Sequence, residues 1–264
     1  MSNIEQQHEK NLSASIDVCA ARPHIDPRLS AHLAQTFSPS SERGIAPQQK
    51  GSVFMSLYGS LAPEFVIRVG KKGSRATAQA QGEPALVVGT TSIYDWVYDD
   101  KGSGADNDVT VWRPHPSDSN YYIIGDYAQG NYGAPTGTAY VVKAVNDDPN
   151  NPLLKAPKTY NQIWTDRGSG GDSDGSIWYP VPEDNYVAIG FVAQLGYDMP
   201  SPKYACLRKD LVELTDVGAL IWKDKGSGAH DDVAFYKIVG VPNAFVAQAN
   251  YDPYSGNAYK IKGT

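Results

Sequence analysis

The chain has 264 residues, a formal net charge of −6 and a pI near 5.3. That balance excludes non-specific nucleic-acid binding, which needs a basic footprint, and weakens any general attraction to anionic membranes. Seventeen tyrosines and five tryptophans suit strand packing and contact surfaces alike, whereas two cysteines, Cys19 and Cys206, make no disulfide framework and favour a reducing compartment.

Residues 1–50 are rich in Gln, Ser, Pro and His and read as a mostly disordered tail. One exception is a short helix over "IDPRLSAHLAQTF", with Asp26 at the cap, Pro27 at the first helical position and Leu29, Leu33 and Phe37 on one face. The start has no apolar core of signal-peptide length, and no run approaches a membrane span. The expectation is a soluble protein without signal peptide or transmembrane segment, cytoplasmic or released by a non-classical route. The "NLS" at Asn11 is then an idle glycosylation acceptor. Residues 51–85 hold "SVFMSLYG" and "EFVIRV", an added β segment. Arg68, Lys71, Lys72 and Arg75 mark a basic, solvated turn after it. Residues 1–85 are also the candidate surface for a protein partner.

From residue 86 onward the chain repeats itself. "VYDDKGSGADNDVTVWRP", "IWTDRGSGGDSDGSIWYP" and "IWKDKGSGAHDDVAFYKI" align on a Gly-Ser-Gly. The copies share an aromatic (Tyr98, Trp164, Trp222), an aspartate (Asp100, Asp166, Asp224) and a cation (Lys101, Arg167, Lys225). Paired glycines follow around a serine: Gly102 and Gly104 about Ser103, Gly168 and Gly170 about Ser169, Gly226 and Gly228 about Ser227. A second aspartate (Asp108, Asp174, Asp232) and a second aromatic (Trp112, Trp178, Tyr236) complete the phrase. Downstream, "YAQGNYG", "VAQLGYD" and "VAQANYD" recur around Gln129, Gln194 and Gln248. The first glycines are 66 and then 58 residues apart, and such a period signals a modular fold.

Each unit predicts four short strands: the aromatic approach to the loop, the "VTVWR"-type run, the run ending in Ala-Gln, and a run begun by Tyr140, Tyr204 or Tyr259. No stretch in this repeated region keeps a helical period with caps at both ends. The units span about residues 86–152, 153–210 and 211–264. Three sheets of about four strands bury their inner faces against one another around a shared axis, which one such sheet cannot do alone. The expected class is all-β with threefold pseudo-symmetry.

The repeated loop admits several readings. "GDSDG" (Gly171 to Gly175) fits a nucleophile-elbow pattern, but the sister copies carry Asn107 and Asp231 where this one has Ser173, and no histidine recurs beside it. No catalytic residue is assigned, and the chain is not expected to be an enzyme. Calcium finds carboxylates such as Asp166, Asp172 and Asp174, yet a cation follows the first aspartate every time, so no metal or other cofactor is assigned. The Gly-Ser-Gly amides and neighbouring cation suit a headgroup or a sugar hydroxyl. Equally, aspartates before glycines make stiff turns, and the loop is then architecture. Both readings stay open. The candidate ligand residues are Asp100, Lys101, Ser103 and Asp108 with their counterparts in the other two copies.

On "IWTDRGSGGDSDGSIWYPVP…NYVAIGFVA" and its sister copies, the chain resembles the vacuolar protein sorting-associated protein 62 family. It is also similar to the related β-prism module of the multivesicular-body sorting machinery. The resemblance covers roughly residues 86–264. The third copy departs from it, with Tyr236-Lys237-Ile238 in place of Trp-x-Pro. The resemblance implies a threefold β-prism and a recognition module that docks on membrane lipid headgroups or another cell surface through prism loops. It also implies a targeting or partner component of a toxin or defence system. Jacalin-type lectins share the prism shape, which makes glycan binding the alternative.

Overall fold

The computed structural model describes residues 16–20, 65–69 and 82–264. Strands β1 (Ile16–Ala20) and β2 (Phe65–Val69) precede the repeats. Unit 1 holds β3 (Ala85–Thr91), β4 (Tyr94–Asp99), β5 (Thr110–Pro114), β6 (Tyr122–Ile123), β7 (Tyr127–Gln129) and β8 (Ala139–Val145). Unit 2 holds β9 (Leu154–Lys155), β10 (Thr159–Thr165), β11 (Gly175–Val181), β12 (Tyr186–Val187), β13 (Val192–Leu195) and β14 (Cys206–Arg208). After a 3-10 turn at Lys209–Leu211 come β15 (Val212–Thr215), β16 (Val217–Lys223), β17 (Ala234–Ile238), β18 (Phe245–Gln248) and β19 (Ala258–Ile261), which form unit 3.

Every unit contributes the same antiparallel three-stranded sheet: β4-β5-β7, β10-β11-β13 and β16-β17-β18. The remaining strands form a second small sheet per unit, β3-β8-β6, β12-β14-β9 and β15-β19. This is the all-β, threefold arrangement that the repeats predict and the β-prism that the resemblance implies, with each unit's strands divided between two small sheets rather than gathered in one of about four. The third predicted strand of units 1 and 2 is divided between its unit's two sheets, because Gly125 and Gly190 meet back to back at the centre. A Cβ on Gly125 would lie 2.7 Å from the Gly190 Cα. The chains cross-link there as well: Gly190 N–H donates to the Ile124 carbonyl (2.9 Å) and Phe191 N–H to that of Phe245 (2.9 Å).

The core explains the aromatic load. In each first strand the pairing register shifts just before the repeated aromatic, between Trp96 and Tyr98, Gln162 and Trp164, and Leu220 and Trp222. A bulge of this kind re-aims a side chain, and here it turns Tyr98, Trp164 and Trp222 inward, all buried. Trp164 stands edge-on to Tyr98 (6.1 Å between centroids) and to Trp222 (5.8 Å), the offset geometry that aromatic quadrupoles favour. One hydrophobic cluster joins residues of all three units.

β2 pairs with β3, and β1 pairs with β2, placing a strand inside the tail that composition did not signal. The helix expected over residues 25–37, the "SVFMSLYG" run and Lys71, Lys72 and Arg75 lie outside the described residues, whereas Arg68 sits in β2 opposite Ala85. Among the described residues, no helix is long and apolar enough to cross a membrane.

Cys206 is fully buried in β14, and burial pushes its thiol up to about 12. Thiolate, not thiol, is the reactive species. With Cys19 replaced by serine, Cys206 should therefore resist an aromatic disulfide reagent at pH 8 and react fully in denaturant. Rapid labelling of the native protein would contradict its burial.

Candidate functional site: three loops locked at one end of the prism

The Gly-Ser-Gly loops connect the first and second strands of each three-stranded sheet, and the same bonds build all three. The first aspartate closes the loop across nine residues: Asp100 accepts from Val109 N–H (2.8 Å), Asp166 from Gly175 N–H (3.0 Å) and Asp224 from Val233 N–H (2.9 Å). The carbonyls of the same aspartates accept from Ser103, Ser169 and Ser227 N–H. Each serine Oγ then accepts from the amide two residues on, at Ala105, Gly171 and Ala229 (3.1–3.2 Å). These are Asx and Ser turns, in which a short polar side chain replaces a backbone partner.

The loops also hold one another in a cycle. Asp172 N–H donates to the Lys101 carbonyl (2.7 Å), His230 N–H to that of Arg167 (2.9 Å) and Asp106 N–H to that of Lys225 (2.8 Å). Gly102, Gly168 and Gly226 stand at these crossings with φ of +80°, +91° and +92°. A Cβ at Gly102 or Gly168 would come within 2.6 Å of the neighbouring loop, so glycine is required both by backbone conformation and by space.

Indoles reach between units in the opposite sense, each toward the unit whose loop amide reaches back. Trp222 Nε1–H donates to Asp100 Oδ2 (3.0 Å) and the Asn107 carbonyl (2.8 Å), and Trp164 Nε1–H to Asp224 Oδ2 (3.0 Å) and the Asp231 carbonyl (2.8 Å). A tyrosine three residues after each repeated glutamine completes the arrangement. Tyr132 OH donates to Asp100 (2.9 Å), Tyr197 OH to Asp166 (2.9 Å) and Asp174 (3.1 Å), and Tyr251 bonds Asp224 and Asp232. Burial first, and these carboxylates second, push all three phenols above their ordinary value. Burial also raises the Asp100 and Asp224 carboxyls, against the pull of their hydrogen bonds. The three tyrosines were not among the candidate residues, although the recurrent Gln-x-x-Tyr spacing displays them.

The family model for vacuolar protein sorting-associated protein 62 matches residues 79–251. The chain belongs to that family. Among solved structures, that of GNIP1Aa from Chromobacterium piscinae is similar, with a TM-score of 0.55 and 29% sequence identity. The likeness covers 63% of this chain and 33% of that one, so the family chain described here spans about a third of that protein's length. No curated protein matches the sequence.

In this family member the candidate residues divide into two groups. Asp100, Asp166, Asp224, Ser103, Ser169 and Ser227 are buried and bonded within the loops. Lys101, Arg167, Lys225, Asp108, Asp174 and Asp232 are exposed, and the interlock gathers them at one end of the prism. Arg167 lies over the Tyr197 ring (4.1 Å) and Lys101 over Tyr132 (4.9 Å), with Lys101 also 3.0 Å from Asp99. In unit 3 it is Lys223, not Lys225, that covers the tyrosine, at 5.6 Å from the Tyr251 centroid. Trp112, Trp178 and Tyr236 alternate along their strands with the buried Val111, Ile177 and Phe235; Tyr236 is buried within the main hydrophobic cluster, Trp178 is buried in a separate small cluster and Trp112 is half-buried. Gly175 opens β11, so the elbow-like "GDSDG" runs from turn into strand. No group of three or more His, Cys, Asp or Glu among the described residues is arranged to hold a metal.

Proposed function

We propose that this chain is a non-enzymatic recognition module whose locked loop end docks on a membrane surface of zwitterionic character. The carrying observation is the triplicate set of exposed cations and carboxylates, Lys101 and Asp108, Arg167 and Asp174, Lys225 and Asp232, on loops that fix one another. Asp106, Asp172 and Asp231 are exposed beside them, so this end is not a cationic patch and an acidic bilayer would be repelled. A headgroup bearing both a phosphate and an ammonium meets a partner for each charge. Three weak, rigidly spaced contacts multiply by effective concentration.

The test is sedimentation with phosphatidylcholine vesicles, with and without phosphatidylserine. Binding should occur on the zwitterionic vesicles and weaken as phosphatidylserine is added. The triple charge reversal of Lys101, Arg167 and Lys225 to Glu should abolish it. No sedimentation with either vesicle, or binding that grows with phosphatidylserine, would overturn the reading. The likeness of the chain to a third of GNIP1Aa supports a module that also works within larger proteins.

A further inference from the structure

The three units meet along three seams related by the repeat, and their side chains differ. The deciding position is the residue after the second repeated aromatic: Arg113, Tyr179 or Lys237. Between units 1 and 2, Arg113 fills the seam, donating to Tyr204 OH (2.8 Å), the Ala193 carbonyl (2.5 Å) and the Asp126 carboxylate (3.4 Å). Between units 2 and 3, Tyr179 packs on Phe191 (5.3 Å between centroids), with Tyr259 near enough to act on its hydroxyl. Between units 3 and 1, the equivalent residues are Lys237, Phe245 and Tyr140. No Asp or Glu lines this seam for the cation, and Phe245 is fully buried, packed on Phe235 (4.7 Å between centroids). The seam opens into a groove of about 860 Å³.

The groove has a definite chemistry. Tyr127, Gln129, Tyr140, Lys237, Pro242 and Asn243 contribute to its wall, and Lys237 is the one charged side chain in the lining. Lys237 is exposed and makes no ion pair among the described residues. A lone cation without a carboxylate, in a chain of net charge −6, favours an anion. Tyrosine rings and the amide and carbonyl groups of the 129–136 loop suit the mixed apolar and hydroxyl surface of a sugar ring, and the volume lies in the range of small-molecule sites. None of these groups belongs to the loop end assigned to membrane docking.

We propose that this groove binds a monosaccharide bearing one anionic group, a carboxylate or a phosphate, with Lys237 pairing the anion. The test uses the full chain and ligand-observed NMR with four probes: glucuronic acid, glucose 6-phosphate, glucose and inorganic phosphate. The two charged sugars should bind at least tenfold more tightly than glucose or phosphate alone, the scale of one charge-assisted hydrogen bond. Lys237→Gln should weaken them about tenfold. Lys237→Tyr, which replaces the only charged side chain of the lining with a bulkier neutral ring, should narrow the groove and remove binding, while Lys158→Gln on another surface should change nothing. Equal binding of glucose would overturn the role of charge. Equal binding of phosphate would overturn the role of the ring. Absence of binding, or affinity unchanged in both Lys237 variants, would overturn the site itself, whatever the vesicle result.

Discussion

Asp126→Ala is expected to lower the stability of the prism by about 3–5 kcal/mol, the scale for removing one partner of a buried ion pair. Asp126 is wholly buried at the seam of units 1 and 2. Its carboxylate accepts from Ala193 N–H (2.9 Å), Arg113 and the Tyr204 hydroxyl. Burial pushes this carboxyl up, and the three donors pull against that. Donors converge on the group from three residues, so its oxygens are occupied within the seam. Truncation would strand a buried guanidinium together with an amide and a hydroxyl.

Unit 2 supplies a control. Its equivalents of Arg113 and Asp126 are Tyr179 and Phe191, which pack ring against ring. Transplanting that pair, Arg113→Tyr with Asp126→Phe, exchanges a polar seam for an apolar one and should recover at least half of the loss. Apolar replacement of a buried ion pair is often neutral or better. Urea denaturation of the wild type, Asp126→Ala and the double variant measures the cycle. A loss below about 1 kcal/mol for the single variant would mean that the carboxylate keeps a solvent contact that its burial denies.

The triplicate architecture was legible because backbone geometry is written locally. Gly102, Gly168 and Gly226 stand where φ is positive, and the Asx turn needs its aspartate at a fixed distance from them. The fate of the aspartates was not legible in the same way. Asp100 is capped by Trp222, 122 residues away, and a carboxylate in a sequence carries no mark of a donor that arrives from another unit. Its exposed neighbours Lys101 and Asp108 look equally polar on paper. Tyr132, Tyr197 and Tyr251 were visible in the Gln-x-x-Tyr recurrence, but nothing in that spacing marks the carboxylates they reach. The departure at Tyr236-Lys237-Ile238 was visible too. Its consequence depends on Gln129 and Tyr140 from unit 1, which only the packing brings beside Lys237. β1 escaped because five residues in a polar tail show no usable alternation.

Gly175→Val is the second large effect, and it runs against the repeat. Units 1 and 3 carry valine at this position, Val109 and Val233, both fully buried. A consensus argument would therefore install valine in unit 2. The structure forbids it, because a Cβ on Gly175 would lie 2.1 Å from Tyr98 Cδ2, and Tyr98 is 1% exposed with no room to retreat. Overpacking of a rigid core typically costs about 1–3 kcal/mol, and an overlap this deep places the single variant at about 3 kcal/mol or beyond. The cause is that Tyr98 is the one member of the axial triplet that is not tryptophan. Trp164 and Trp222 extend past their valines to bond Asp224 and Asp100, whereas the shorter Tyr98 ring rests where the third valine would stand. Tyr98→Trp should restore the missing arm, its indole N–H donating to Asp166 as its two sisters donate to their aspartates. Combined with Gly175→Val, it should bring stability back to within about 1 kcal/mol of the wild type, a coupling far outside the additivity of independent sites. Urea denaturation reads the energies, and a third downfield indole N–H resonance beside those of Trp164 and Trp222 reports the new bond. Simple addition of the two single losses would mean that the axis is held by something other than this threefold exchange of aromatic and aspartate.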